Sequence, residues 1–264
     1  MNLGGRSALV TGATGGIGVA IARALAGRGV SPLLLSGRRT DVLDPLASEL
    51  GARALECDLS DPAAVDRLAD EAAAVDILVA NAGLPASGHL TSFSQEEIDR
   101  ALAVNLRAPM VLAHRLIEPM IARGSGHLVF VSSLSGKTAS PGGSVYSATK
   151  FGLRGFALGL RQDLRPHGVG VSVVSPGFVR DAGMFHDSGA KLPPFVGTSS
   201  PEQVAEGVLR AIERNRAEVE VAPLGVRAGA AAGGLLPELV ANVQRRLGGD
   251  RISERMAEGQ RPKR

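Results

Sequence analysis

The sequence is poor in cysteine and in aromatic residues. Cys57 is the single cysteine, and the 264 residues include seven Phe, one Tyr and no Trp. A lone cysteine excludes an intrachain disulfide and gives no indication of an oxidising compartment. The shortage of aromatic rings argues against a surface on which nucleic-acid bases stack. We therefore expect a core built from Ala, Val, Leu and Gly, with Cys57 as a small buried side chain.

Long apolar runs and a broad basic face are also missing. No predominantly apolar run reaches the ~18 residues that a membrane-spanning helix needs, and no signal segment opens the chain. The net charge of +3 resides near the C-terminus, since residues 245–264 carry four more basic than acidic residues and the rest carry −1. The five histidines show no metal-ligand spacing. These absences predict a soluble, cytoplasmic protein that binds neither nucleic acid nor a metal ion.

The sequence contains an alternation of short β-rich runs with helical patterns. Most of the β-rich runs are continuously apolar, as in strands covered by helices on both faces. Helix starts are marked by Asp61-Pro62 and by capping boxes at Ser94/Glu97 and Ser200/Gln203. This alternation predicts an α/β fold with a single-domain, doubly wound parallel sheet of about seven strands and helices on both faces. The expected strands are residues 7–11, 32–36, 53–57, 76–80, 127–132, 169–175 and 219–222.

A glycine-rich turn follows the first expected strand. The stretch TGATGGIG runs from Thr11 to Gly18 and opens the first helix. Its glycines let the backbone turn tightly, approach a phosphate and pack close to the sheet, while the helix N-terminus favours an anion. Val19-Ala20 replaces the Lys-Ser/Thr pair that an ATP-type phosphate loop requires. The order strand, turn, helix predicts a dinucleotide site, and a glycine-rich turn without a ligand is the alternative.

The end of the second expected strand indicates which dinucleotide binds. Arg38 and Arg39 stand there, whereas a site for NAD wants an acidic residue to hold the ribose hydroxyl. Guanidinium groups suit a 2′-phosphate, which they bind through two hydrogen bonds. Ordinary solvated charges in an arginine-rich chain are the alternative. We predict NADP(H) in preference to NAD(H).

The chain has one tyrosine and four lysines, and one of the lysines follows the tyrosine by a helical turn. In SVYSATK, Tyr146 and Lys150 are four residues apart and share a face if the segment is helical. A phenol titrates at about pH 10, and a nearby ammonium favours phenolate and lowers that pKa. The pair is therefore a candidate for acid/base catalysis. Because the pattern is so short, two exposed side chains without a catalytic role are the alternative.

Together these motifs resemble the short-chain dehydrogenase/reductase family over roughly residues 5–222. TGATGGIG is similar to its cofactor turn, CDLSD to the segment with its adenine-binding aspartate, and NAG to its motif after the fourth strand. A proline-glycine pair after the sixth strand also matches. The resemblance implies a Rossmann fold. With the two arginines, the predicted cofactor-binding residues are Gly12, Thr14, Gly16, Ile17, Gly18, Arg38, Arg39, Asp58, Leu59, Asn81, Ala82, Gly83, Tyr146, Lys150, Pro176, Gly177 and Val179.

The resemblance also implies a catalytic tetrad of Asn105, Ser133, Tyr146 and Lys150 in an NAD(P)H-dependent oxidoreductase. Tyr146 gives its proton to a carbonyl oxygen during reduction, or removes one from an alcohol. Ser133 holds that oxygen, and its neighbours at 132 and 135 are the alternatives. Lys150 contacts the nicotinamide ribose and lowers the Tyr146 pKa, while Asn105 supports a water that serves Lys150. A silent dinucleotide-binding regulator and an epimerase or dehydratase with bound NAD are the alternative functions.

Two positions depart from the family pattern. Asp181 stands where the family often has a threonine that bonds the nicotinamide carboxamide. Its carboxylate would accept a hydrogen bond from the carboxamide, repel a reduced, phosphate-rich cofactor, or organise the following loop. Gly15 stands where NADP-preferring members frequently carry a basic residue. The predicted selectivity for the phosphate therefore rests on Arg38 and Arg39.

The loops beyond the strand ends are expected to select the substrate. Residues 178–199 form the expected lid, with an apolar lining from Met184, Phe185, Leu192 and Phe195. This predicts a carbonyl or alcohol substrate of partly apolar character. We expect one domain over residues 1–222 and a homodimer or homotetramer. The extension over 223–264 is expected to pack on the body or a second subunit, or to touch an anionic membrane, with disorder or simple surface packing over 250–264.

Overall fold

Within the residues that the structure, a computed structural model, describes (1–193, 196–246 and 249–263), seven strands form one parallel sheet. Their order across the sheet is β3-β2-β1-β4-β5-β6-β7. Each strand lies within one residue of its expected bounds, so the predicted doubly wound α/β fold is confirmed. The strands are β1 (Ala8–Thr11), β2 (Leu33–Gly37), β3 (Arg53–Glu56), β4 (Ile77–Ala80), β5 (Gly126–Val131), β6 (Val169–Pro176) and β7 (Glu218–Val221).

Helices cover both faces of the sheet, and three of them begin at the caps that the sequence marks. Asp61 caps its helix through the N–H of Ala63, and capping boxes are present at Ser94 and Ser200. The helices of the body are α1 (Gly16–Gly27), α2 (Thr40–Leu50), α3 (Pro62–Glu71), α4 (Gln95–Leu102), α5 (Ala108–Arg123), α6 (Ser144–Leu164), α7 (Gly183–Asp187) and α8 (Pro201–Glu213).

The two faces of the sheet carry separate hydrophobic cores. Leu9 points to the core formed with α3, α5 and α6, whereas its neighbour Val10 points to the core formed with α1, α2 and α8. Strands buried on both sides explain why the sequence shows continuous apolar runs. The winding direction reverses between β1 and β4, and the carboxyl ends of strands at such a reversal form a crevice for ligands.

The chain continues after β7 into α9 (Leu224–Leu235), α10 (Pro237–Arg246), α11 (Gly249–Gln260) and a 3₁₀ turn, Arg261–Lys263. The expectation of disorder or simple surface packing over residues 250–264 is wrong for its described part, because α11 packs against α7 and lines the central cavity. Arg264 lies outside the described residues, as does Phe195 of the expected lid lining. No described helix combines the length and apolar character that crossing a bilayer demands.

Candidate active site

Thr11 and Asn81 hold the glycine turn between β1 and α1. The Thr11 hydroxyl accepts hydrogen bonds from the N–H groups of Asn81 and Ala82, both at 3.2 Å. The Asn81 amide donates to the carbonyls of Thr11 and Gly12 at 3.1 and 3.2 Å. Gly12 has a φ of 66°, and a Cβ there would lie 2.7 Å from the Cα of Ala82. Only glycine allows this approach, and the N-terminus of α1 next to the turn suits a pyrophosphate.

The two arginines and Asp58 line the cavity at the ends of β2 and β3. Arg38 Nη1 lies 3.9 Å from Asp58 Oδ2, and the Arg39 guanidinium donates to a carbonyl of the glycine turn. Burial alone would raise the pKa of Asp58, but hydrogen bonds from Ser60 and the charges of Arg38 and Arg100 lower it. Asp58 is therefore an ionised acceptor at neutral pH, and Arg38 lies beside it at the cavity wall.

Tyr146 and Lys150 share one face of α6, as their spacing predicts. Lys150 Nζ lies 5.7 Å from the centre of the Tyr146 ring and donates to the Val131 carbonyl at 3.0 Å. Ser133 follows β5, and its hydroxyl is within hydrogen-bonding reach of the phenol. The buried Ser132 hydroxyl instead donates to the Lys150 carbonyl at 3.1 Å. Ser133 is therefore better placed than Ser132 to meet a group beside the phenol.

Burial governs the protonation of the tyrosine and the lysine. It raises the pKa of Tyr146 to about 12, and a hydrogen bond with Ser133 partly opposes the rise. It lowers the pKa of Lys150 to about 8. The net pKa of Tyr146 is raised because the phenolate loses stabilisation by water on burial. The expected lowering of that pKa by the Lys150 ammonium stays a prediction. The phenol consequently carries its proton at neutral pH and is a donor.

Asn105 lies in a π-helical turn, Ala103–Arg107, between α4 and α5. Wider turns of this kind occur frequently at functional sites. The side chain is fully buried, accepts from the N–H of Leu84 at 2.6 Å and donates to the Leu84 carbonyl at 2.9 Å. A Cβ built on Gly83 would lie 3.5 Å from Asn105 Oδ1 and 3.7 Å from Lys150 Nζ. Asn105 thus positions the backbone beside the lysine ammonium.

The segment after β6 reaches back over the site. A Cβ built on Gly16 would lie 2.2 Å from the Cβ of Ala182, and one on Gly83 would lie 3.3 Å from the Cε of Met184. The start of the expected lid therefore touches both the glycine turn and the NAG motif.

Asp181, which replaces the family's threonine, has a φ of 67° and pairs with Arg180 at 3.2 Å. Asp tolerates the left-handed conformation better than most residues do. Of the three roles considered, this geometry favours organisation of the loop.

One cavity of about 1390 Å³ brings the predicted residues together. Ser133, Tyr146 and Lys150 line the cavity. Asn105 is not in contact with the cavity and lies behind the residues that line it. All the predicted cofactor-binding residues line it as well: Gly12, Thr14, Gly16, Ile17, Gly18, Arg38, Arg39, Asp58, Leu59, Asn81, Ala82, Gly83, Tyr146, Lys150, Pro176, Gly177 and Val179.

Sequence reasoning missed the contribution of α11 to this cavity. Ile252, Met256 and Gln260 line it, and their spacing of four residues was the available signal. Cys57 is buried as expected, and burial raises its pKa to about 11. No cluster of three or more metal-ligand side chains exists among the described residues. The absence of a metal cofactor stays a prediction.

Comparison with known proteins identifies similar chains. The model of a family described as short chain dehydrogenase matches residues 6–192. The ketoacyl reductase HetN of Nostoc sp. (strain PCC 7120) is 36% identical over 227 residues, covering 83% of this chain and 79% of that protein. Nodulation protein G of Rhizobium sp. (strain N33) is 41% identical over 186 residues, covering 68% and 76%.

Solved structures show the same likeness. A short-chain dehydrogenase from Sphingobium yanoikuyae in complex with NADPH has a TM-score of 0.77 at 28% identity, covering 89% of this chain and 95% of that one. A short-chain dehydrogenase from Streptomyces avermitilis has a TM-score of 0.77 at 26% identity, covering 95% and 99%. Coverage of that extent includes part of the segment after β7.

Proposed function

The chain belongs to the short-chain dehydrogenase family and is an NAD(P)H-dependent oxidoreductase that interconverts a carbonyl compound and an alcohol; we propose that it is an NADPH-dependent ketone reductase with Tyr146 as its proton donor. The observation that carries this proposal is the partly buried phenol of Tyr146, which lines the cavity beside Ser133 and Lys150 and whose pKa is raised to about 12. A phenol that holds its proton at neutral pH suits reduction, in which the carbonyl oxygen must receive one.

The glycine turn, Asn81 and the two arginines are the groups that would hold the dinucleotide. The turn fits a pyrophosphate because a side chain at Gly12 would fill the space, and the arginines fit a 2′-phosphate. NADPH held by these groups would supply the hydride for the carbonyl carbon. The NADPH in the Sphingobium structure supports this choice of cofactor.

Each member of the tetrad has a distinct task in the proposed reaction. Ser133 donates a hydrogen bond to the carbonyl oxygen and fixes it beside the phenol. Tyr146 transfers its proton to that oxygen as the alcohol forms. The Lys150 ammonium stabilises the phenolate that remains, and Asn105 keeps the Leu84 backbone in place beside that ammonium. The presence of all four groups disfavours a silent binding protein.

The substitution Tyr146→Phe tests the proposal. We expect kcat/KM for ketone reduction, followed by NADPH absorbance, to fall by about 10²- to 10⁴-fold, the usual worth of a general acid. Binding of NADPH, measured by fluorescence titration, should stay within a few-fold. A variant that turns over as fast as the wild type removes Tyr146 from the role of proton donor.

Ser147→Ala is the matched control on the same helix. It deletes a buried hydroxyl that has no hydrogen-bond partner in the described part of the chain. We expect activity within twofold of the wild type, because this hydroxyl belongs to no catalytic contact.

The assembly and the domain limits are proposals as well. Met110 on α5 and Phe151 on α6 are 37% and 43% exposed, which supports a homodimer or homotetramer with these helices at an interface. We keep residues 1–222 as the catalytic domain, 178–199 as its lid and 223–264 as the extension. Cytoplasmic location stays a prediction.

A further inference from the structure

Helix α11 crosses the mouth of the substrate side of the cavity. At one end, the Cβ of Ser253 lies 3.6 Å from a Cβ built on Gly142, in the loop before the catalytic helix α6. At the other end, a Cβ built on Gly259 would lie 2.2 Å from the carbonyl oxygen of Ser188, which follows α7. The helix therefore bridges the loop that precedes Tyr146 and the lid.

The helix is amphipathic, and its apolar face looks into the cavity. Ile252, Met256 and Gln260 line the cavity, whereas Glu254 and Arg255 are exposed on the other side. The lining residues follow each other at intervals of four and so share one face. An apolar face in this place is a wall of the substrate site.

Two contacts fix the helix on the lid. Gln260 Nε2 donates to the Met184 carbonyl at 3.1 Å, and Lys263 Nζ donates to Asp187 Oδ2 at 2.7 Å. Met184 in turn extends to Gly83 beside Lys150. The position of α11 is thereby tied to the catalytic end of the cavity.

The chemistry of this wall selects against an acidic substrate. Asp181 and Asp187 line the cavity near the lid, and they engage the cations Arg180 and Lys263, which therefore do not stand ready to hold a substrate carboxylate. Apolar residues of α9 and α10 line the same cavity, and α10 packs against α11. These residues are Val226, Ala230, Leu239, Val240 and Val243.

We propose that α11 is the substrate-recognition wall, that Ile252 and Met256 determine specificity, and that the substrate is an uncharged ketone with a bulky apolar group. This inference rests on the proposed reductase function. It assigns a role to a segment that lies beyond the residues matched by the family model.

Met256→Trp tests the inference with three ketones: butan-2-one, undecan-2-one and 10-oxoundecanoate. The wild type should prefer undecan-2-one to the keto acid by about tenfold in kcat/KM, because a carboxylate loses its hydration against the apolar side chains of Ile252 and Met256. Met256→Trp should lower kcat/KM for undecan-2-one at least tenfold, because the indole fills the space for the chain. It should leave butan-2-one within twofold, which also shows that the variant is folded.

Arg255→Trp is the matched control, since it places the same side chain one residue away on the exposed face. It should behave as the wild type does on all three ketones. Ile252→Ala and Met256→Ala enlarge the cavity and should shift the preference towards a longer or branched ketone.

An equal loss on both neutral ketones, or no loss on either, overturns the inference while the reductase function stands. A wild type that binds NADPH but reduces no ketone of the panel overturns the proposed function and this inference with it.

Discussion

Lys150 is 3% exposed and donates to a backbone carbonyl, and its burial lowers its pKa to about 8. If its ammonium stabilises the phenolate, kcat/KM for ketone reduction falls as pH rises through about 8. The measurement is a pH profile of kcat/KM between pH 6 and 10. In Lys150→Arg the basic limb should vanish, because a guanidinium stays charged over this range.

Lys137→Arg makes the same substitution at a lysine that pairs with Glu220, away from the phenol. In Lys137→Arg, kcat/KM should fall at basic pH as it does in the wild type. A basic limb that persists unchanged in Lys150→Arg assigns the titration to another group.

The burial of His127 makes the free energy of unfolding depend on pH. Its Nε2 lies 2.8 Å from the Ser172 hydroxyl, and burial lowers its pKa to about 3 from the ordinary 6.5. The folded state keeps the ring neutral, so its contribution to stability is complete above about pH 6.5 and is lost as pH falls towards 3. At pH 5 the free energy of unfolding should be lower by about 2 kcal/mol than at pH 7.5 on account of this residue.

Urea unfolding of wild type and His127→Asn at the two pH values measures this effect. The variant cannot take up a proton and should lose about that much of the pH dependence. His114→Asn, at an exposed position, should retain it. An equal pH dependence in wild type and His127→Asn contradicts the argument.

At the scale of elements, the seating of α11 depends on Gly259. Its missing side chain lets the helix lie against the Ser188 backbone, where a Cβ would be 2.2 Å from the carbonyl oxygen. Gly259→Ala should therefore displace the helix from the lid. We expect faster tryptic cleavage within α11, at Arg255, and a severalfold higher KM for a bulky ketone.

Gly225→Ala is the control for this change. Gly225 lies in α9 with no atom within 4 Å of a Cβ built on it, and alanine favours a helix by up to about 1 kcal/mol. Its proteolysis and KM should match the wild type. Unaltered proteolysis in Gly259→Ala means that the helix is seated by other contacts.

At the scale of the whole molecule, the sequence predicts the sheet and the reaction centre well. Strands buried on both faces read as continuous apolar runs, and β4 is one example. The predicted site residues meet because they follow the carboxyl ends of parallel strands or lie one turn apart on α6. Local spacing is therefore sufficient to predict that Tyr146 and Lys150 lie together. Strand order is sufficient to predict that Gly12 and Asn81 lie together.

The remaining features depend on tertiary packing and escape such reasoning. The rise in the Tyr146 pKa results from burial, and the apolar residues packed around Tyr146 include Ala86 and Ala101, which are distant in sequence. The apolar face of α11 is visible in the spacing of Ile252 and Met256, but the surface it covers is not. In the sequence, Asp181 indicates only that the threonine contact to the nicotinamide carboxamide is missing. Its backbone conformation is what indicates that it shapes a loop.

The π-helical turn Ala103–Arg107 has a consequence for how this site tolerates change. Each residue of a regular helix advances the side chains by about 100°. Shortening the turn by one residue would put α4 and α5 out of phase by that angle. The face of α5 that holds Leu112 and Leu116 against the sheet would then be incompatible with an inward-facing Asn105. Deletions in this segment should therefore be far less tolerated than substitutions on its solvent side.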